Sequence, residues 1–351
     1  MPAKRNKLLI IGSFVNKDAM ELQYTRGFLK QDWQVYSYEI QQPLDQLWRR
    51  SLLDKMALRF LPNIYLNAIN KKVIAHVKEL QPDVVLIFKG MQLFPNTVAV
   101  LKKHTALLCN YNLDHPLEIY SRGGTNKNVI SSVEHFDVFF TYSNSIVKKI
   151  ISQYNISSYC IPFGFDPLLN EKYGSLPLEQ IDSYLFYGTW DKARERFLNA
   201  LGRDDVAVYG DVEWGTRTKR NGLAYKNFKR KKLYDAELYT TIRSSIGVIN
   251  NLREQNIVEN SHNMRTFEVP GYGGLLISQF TEEQAYFFEP NKEAIYFSSI
   301  EELNDKLEYL KRAPKEVNKI KINALNRSMK CGYSYNDRAK QMSDFIRKHL
   351  Q

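Results

Sequence analysis

An arginine and a glutamate three positions apart, with an asparagine just ahead of them, mark the stretch 262–274, HNMRTFEVPGYGG. If a helix starts near Asn263, its unpaired backbone N–H groups form an anion site. Arg265 adds a planar, permanently charged fork that matches phosphate oxygens. Glu268, one turn on, can accept hydrogen bonds from a ribose diol. Pro270 and Gly271 then disturb the helix, and Gly273-Gly274 let the backbone turn sharply into the apolar run LLIS. A plainer reading of the same spacing is an i,i+3 ion pair at a helix start. The segment 219–232, KRNGLAYKNFKRKK, is the second concentration of charge, rich in lysine and arginine and without an acid. It could contact a diphosphate, an anionic polysaccharide or lipid headgroups; the alternative is a solvated loop.

These residues need a scaffold, and the chain offers two series of alternating elements. The first has strand-like runs at 7–14, 33–40, 82–90, 105–116, 135–143 and 157–165, with helical spacing at 21–31 and 144–155 and a long amphipathic region over 43–80. The run PDVVLIFKG is continuously apolar, as in a parallel sheet covered on both faces. The segment 165–182, rich in proline and polar residues, reads as a passage between domains. Strands at 183–190, 206–210, 246–252, 274–280 and 294–298 follow, with helices at 191–201, 233–245, 281–288, 300–312 and 334–350; Asp191 is placed to cap the first of these helices. The order predicts an α/β fold with doubly wound parallel sheets. Ligands bind beyond the carboxyl ends of such strands, so the informative loops are 11–14, 88–90, 110–116, 163–167, 187–195, 209–214, 249–256 and the opening stretch.

Totals narrow the function. The chain has 351 residues, enough for two domains, and an ordinary globular share of hydrophobic and charged residues, 44% and 25%. No apolar run approaches a membrane span, and LLII before Gly12 reads as a buried first strand rather than a signal peptide. The cysteines, Cys109, Cys160 and Cys331, have neither disulfide nor metal spacing, which fits a reducing, cytoplasmic setting. A net charge of +11 suggests an anionic partner: a nucleotide, a phosphorylated lipid, a membrane surface or nucleic acid. Nucleic acid is not expected, because zinc-knuckle, helix-turn-helix and RNP signatures are missing. A nicotinamide enzyme is disfavoured because no GxGxxG follows a strand.

The stretch RTFEVPGYGGLLIS resembles the C-terminal signature of the CgeB-like, spore-coat-type glycosyltransferases. Five further stretches match in order: VVLIFKG, NYNLDHP, IPFGFDP, LFYGTWDKARERFLNAL and FEPNKEAIYFSSIEELNDKL. The resemblance implies a GT-B architecture: two facing Rossmann-like domains, a cleft between them and a C-terminal helix crossing back. The expected boundaries are 1–168 (acceptor side), 169–333 (nucleotide-sugar side) and 334–351 (the returning helix). The implied activity moves a sugar from a nucleotide-diphosphate donor, UDP- or GDP-linked, to a glycan or lipid-linked acceptor of the cell surface. It needs neither metal nor cofactor, since basic groups and helix N-termini hold the leaving diphosphate. Segment 219–232 would then offer a peripheral contact with the inner face of the membrane. A non-catalytic nucleotide or glycan binder of the same fold is the alternative.

Residue by residue, the resemblance puts Gly188 and Thr189 against phosphate through their backbone and makes Arg194 a diphosphate contact. Asn250 and Asn263 would position sugar or base, Arg265 clamp the leaving group and Glu268 hold the ribose. Gly12 and Ser13 would line the donor side from the first domain. Asp114 and His115 are the acid–base candidates, if they are not simply turn residues before Pro116. Trp190 and Trp214 could stack on a base or sugar, although buried core is the commoner use. In retaining relatives such as glycogen synthase, two glutamates lie eight positions apart; here Asn260 stands at the first position, beside Glu259.

Overall fold

The computed structural model describes residues 5–16, 19–121 and 123–350. Contacts divide the chain into two units: one up to Pro162 together with the residues from Asn336 on, the other Phe163–Tyr335.

The first unit is built on a six-stranded sheet: β1 (Lys7–Gly12), β2 (Gln34–Glu39), β3 (Val84–Phe88), β4 (Leu107–Asn112), β5 (Val138–Thr141) and β6 (Ser157–Cys160). Its order is β2-β1-β3-β4-β5-β6, and every pairing is parallel. β3 and β4 are buried along their whole length, as a sheet covered on both faces requires. The amphipathic region folds as three helices, Gln42–Arg50, Leu52–Phe60 and Pro62–Leu80. The last helix, Tyr335–Leu350, contributes to this unit from Asn336 on. Trp33 Nε1 donates to Ser343 Oγ at 2.7 Å, and Phe345 stacks on Tyr159 with ring centroids 3.9 Å apart.

The second unit holds β7 (Tyr184–Tyr187), β8 (Val206–Tyr209), β9 (Val248–Asn250), β10 (Leu276–Gln279) and β11 (Ile295–Phe297), all parallel, in the order β11-β10-β9-β7-β8. Tyr184, Phe186, Ile249 and Ile277 from the strands pack with Leu198, Leu303 and Leu307 from flanking helices in one core. The stretch read as a passage holds a helix, Pro167–Tyr173, whose Tyr173 ring lies 6.2 Å from Tyr239 inside this unit. A further helix, Pro314–Lys330, was not expected from the sequence. Both sheets turn their strand ends into loops and then helices, so each unit has one edge where a ligand can meet backbone and side chains together. No helix among the described residues is long and apolar enough to cross a membrane.

Candidate functional site

In the second unit the site grows from the end of β7. Buried apolar residues carry the chain to Tyr187; Gly188 then turns it with φ +153, and the helix Lys192–Leu201 begins after Asp191. Asp191 caps that helix, its carboxylate accepting from the Arg194 N–H at 2.8 Å. The cap places a negative charge where a helix-bound anion would otherwise sit, so positive charge must come from side chains. It does. Arg194 folds back over the turn and donates from Nη1 to the Thr189 carbonyl at 3.0 Å. Arg253 Nη2 donates to Thr189 Oγ1 at 3.1 Å. Arg265 donates to the Tyr187 carbonyl and lies over the Tyr187 ring, 4.7 Å from its centroid. Three guanidinium groups thus converge on the turn 187–189.

Gly188 is required there by space as well as by conformation. A Cβ at this position would stand 2.3 Å from Arg265 Nη2 and 3.3 Å from Arg194 Nη1. Its carbonyl is held by Trp214 Nε1 at 2.8 Å. Trp214 is fully buried, so the stacking role considered for it gives way to a core role. Gly188→Ala is expected to push Arg265 out of place and to cost about 1–3 kcal/mol of stability through strain. Melting curves with and without UDP would show both effects.

Burial and mutual repulsion set the electrostatics of the cluster. Burial, and then the charges of Arg265 and Arg253, push the Arg194 guanidinium down to about 9. Burial also lowers Arg265, against the favourable neighbours Tyr187 and Glu268. Arg194 stays charged at neutral pH. Arg265 Nε makes no hydrogen bond among the described residues. A bound diphosphate would relieve the repulsion and fill these donors.

The helix that presents Arg265 is short, Arg265–Gly271, and includes Pro270 rather than stopping before it. Seven residues give little dipole, so what matters is how firmly the turn before it is held. Asn250 and Asn263 exchange hydrogen bonds through their amides at 2.9 and 3.2 Å, and Asn250 also donates to Ser278 Oγ. Asn256 Nδ2 donates to the His262 carbonyl at 2.7 Å, and Thr281 Oγ1 to the Ser261 carbonyl at 2.8 Å. Thr266 Oγ1 donates to Gln284 Oε1. Such a buried network fixes the rotamer and position of what it supports. Asn250 is fully buried and spent on this clasp, as is much of Asn263, so the two amides act on the backbone that carries Arg265. Glu268 is buried and accepts from the Tyr187 hydroxyl at 3.1 Å. Asn260 takes a left-handed φ of +48 and bonds Glu282, a turn position that asparagine tolerates well.

In the first unit the ends of β1 and β4 carry the expected residues. Gly12 lets Glu21 approach, since a Cβ there would meet Glu21 Cγ at 2.6 Å. The Ser13 N–H donates to Glu21 at 3.1 Å, and the Phe14 N–H to Glu39. These amides are occupied by carboxylates, so the loop at Gly12 and Ser13 offers an anion little, contrary to the donor-side expectation. Asp114 forms an ion pair with Lys89 at 2.6 Å and takes its place through its N–H to Asn112 Oδ1 at 3.0 Å. His115 is almost wholly buried, and its Nδ1 accepts from the N–H groups of Leu117 and Glu118 at 3.3 and 3.0 Å. That ring holds the turn, and its proton sits on Nε2. Close by in the sheet, Asn112 Nδ2 and Thr141 Oγ1, cross-strand neighbours, are buried without a hydrogen bond among the described residues. Buried polar atoms of this kind are commonly satisfied by ordered water.

Sequence reasoning missed Arg253 and Lys89, although both lie in loops it singled out. The segment 219–232 runs beside β8: the Lys229 N–H donates to the Val208 carbonyl at 2.8 Å and the Gly210 N–H to the Lys231 carbonyl at 3.0 Å. Ala224 and Phe228 are buried, while Lys219, Arg220, Lys226, Lys229 and Arg230 are exposed.

Residues 193–344 match the family model described as glycosyl transferase-like. No curated protein matches the sequence. Among solved structures, a glycosyltransferase from Rickettsia africae is similar at 12% identity and a TM-score of 0.63, covering 99% of each chain. Anabaena HepE, solved with UDP-glucose, is 11% identical with a TM-score of 0.63, over 97% of this chain and 99% of that one. The UDP-GlcNAc 2-epimerase of Neisseria meningitidis, bound to UDP-GlcNAc, is 11% identical with a TM-score of 0.54, over 97% of this chain and all of that one. The chain therefore has the GT-B fold and carries, over residues 193–344, a glycosyl transferase-like domain.

Proposed function

We propose that this protein is a CgeB-like, nucleotide-sugar-dependent glycosyltransferase whose donor diphosphate is held at Gly188 and Thr189 by Arg194, Arg253 and Arg265. The convergence of three guanidinium groups on one strand-end turn carries the reading. As the glycosidic bond to the donor breaks, the diphosphate gains negative charge, and preorganised cations stabilise that charge without reorganisation. The arginines do this work in place of a metal ion, so a chelator should leave the rate unchanged. Glu268 faces the nucleotide ribose. UDP is the nucleotide of choice, because similar structures of this fold were solved with UDP-sugars.

On the acceptor side, Asp114 takes the proton of the attacking hydroxyl; Lys89 pairs with its carboxylate and Asn112 holds its backbone N–H. His115, with Nδ1 committed to the backbone, fixes the loop. The acceptor in this reading is hydroxyl-rich, a glycan or a lipid-linked sugar. The exposed basic side chains of 219–232 favour an acceptor that carries negative charge.

The test is a panel of nucleotide sugars read by thermal stabilisation and then by product. A ligand at a hundred times its Kd stabilises by about 2.7 kcal/mol, a shift of a few degrees at least. A UDP-sugar should give that shift and, with acceptor, release UDP. Release of an epimerised sugar would assign the epimerase activity known on this fold, and binding without turnover would leave a non-catalytic binder.

The lowered Arg194 sets a pH dependence. Diphosphate binding favours the charged guanidinium and so raises its pKa again. Below about 9 the free protein is already protonated and affinity should be flat. Above it, binding must take up a proton, and UDP affinity should fall towards about tenfold per pH unit. Titrations from neutral to alkaline pH would show the break, and Arg194→Ala should remove it.

A further inference from the structure

The helices Gln42–Arg50 and Leu52–Phe60 and the start of Pro62–Leu80 expose an unusual amount of apolar surface. Leu52 and Leu53 are each 78% exposed, Phe60 70% and Ile64 62%; Trp48 and Met56 are more than half exposed. Elsewhere in this unit residues of these types fill the core. In Leu52–Phe60 the pattern is organised. At about 100° per residue, Leu52, Leu53, Met56 and Phe60 fall within one arc, and Lys55 and Arg59 lie along its edge. Arg49 and Arg50 extend the basic border from the preceding helix, and both are exposed. Of the two acids in 42–64, Asp54 is tied to the Ser51 cap and to Arg50 at 3.7 Å. Lys55 lies over the Trp48 ring, its Nζ 6.0 Å from the centroid, so apolar and basic groups form one continuous face.

We propose that this face docks the protein on a membrane leaflet carrying anionic phospholipid headgroups, with Trp48, Leu52, Leu53, Met56, Phe60 and Ile64 entering the interface and Arg49, Arg50, Lys55 and Arg59 meeting the headgroups. An apolar stripe bordered by arginine and lysine is the composition of a helix lying in the interfacial plane. The charge argues against a second copy as occupant, since pairing would bring the same cations together on a chain of net charge +11. The segment 219–232 differs in kind: its basic side chains are exposed, but Ala224 and Phe228 point inward, so it offers attraction without insertion. The proposal stands apart from the donor site and does not depend on it.

The test uses the full-length protein and sedimentation with phosphatidylcholine vesicles, with and without phosphatidylglycerol. The protein should sediment with the anionic vesicles, less so as salt rises, and remain in solution with the neutral ones. Leu53→Asp with Phe60→Asp should lower partitioning by about tenfold or more, as should Arg49→Ser with Arg59→Ser. These side chains are exposed, so the melting temperature of each variant should stay near that of the parent. Tryptophan emission should move to the blue on the anionic vesicles, and Trp48→Phe should abolish the movement. The proposal is overturned if the wild type binds neither vesicle, or both equally. It is also overturned if Lys229→Ser with Lys232→Ser removes binding while Leu53→Asp with Phe60→Asp does not. A concentration-dependent dimer that Leu53→Asp dissociates, without vesicle binding by the monomer, would assign the face to a second copy instead.

Discussion

Arg265→Ala is expected to erase the thermal shift produced by UDP or a UDP-sugar while leaving the free protein's melting temperature little changed. The guanidinium donates to the Tyr187 carbonyl, and its loss costs that bond. Against this, the substitution removes a half-buried cation whose neighbours include Arg194 and Arg253, and their mutual repulsion is relieved. The two effects oppose one another in the free protein. With diphosphate present there is no such offset. A charge-assisted hydrogen bond to phosphate contributes about 1.5–3 kcal/mol, or roughly 10–150-fold in affinity. In the transition state, where the leaving group gains charge, the loss should reach about a hundred- to a thousandfold in kcat. Arg265→Lys should recover only part of this, because an ammonium cannot span two oxygens as a planar fork does. An unaltered shift in Arg265→Ala would remove this residue from its assigned role.

Asp114→Asn should act on the other half of the reaction. It preserves shape but cannot accept a proton, and it breaks the ion pair with Lys89. If Asp114 serves as base to the acceptor hydroxyl, kcat should fall by about 10²–10⁴. Donor binding, measured by the UDP-induced shift, should not move. The contrast with Arg265→Ala separates proton acceptance from leaving-group binding. His115→Gln should disturb activity through the loop, with a fall in thermal stability, because two backbone N–H groups lose their acceptor at Nδ1. A change of less than about threefold in Asp114→Asn would move the proton to the departing phosphate and away from this carboxylate.

The central strands could be read from the chain because buried parallel strands leave continuous apolar runs, such as VVLIF, bounded by turn residues. The helix Pro314–Lys330 could not be read so easily. Its buried stripe is thin, made by Val317, Ile320, Ala324 and Ser328 with a buried lysine among them, and its first residue is a proline that reads as a breaker. Lys321 reaches inward to the carbonyls of Arg243 and Ser245, a partnership across more than seventy residues that no local pattern announces.

The site shows the same division. Arg265 and Glu268 were visible because they sit together beside a glycine turn. Arg253 was not, because its partner Thr189 is 64 residues away and a single arginine in a loop has no signature. The resemblance gives Asn250 and Asn263 a place beside the sugar or base; the fold brings their amides close enough to satisfy each other. The resemblance puts Gly12 and Ser13 on the donor side, yet the amides of Ser13 and Phe14 donate to Glu21 and Glu39. Of the two uses open to Trp214, stacking or core, burial selects the core, where its indole N–H holds the Gly188 carbonyl. In each case the residue type was informative and the decisive partner lay on another element.

The most direct measurement is the position of the donor's phosphates in crystals soaked with a UDP-sugar. The expected density places the diphosphate at the turn 187–189, within hydrogen-bond distance of the Arg194 and Arg265 guanidinium groups. A diphosphate bound elsewhere in the second unit, with those two arginines keeping only their present protein partners, would contradict the account.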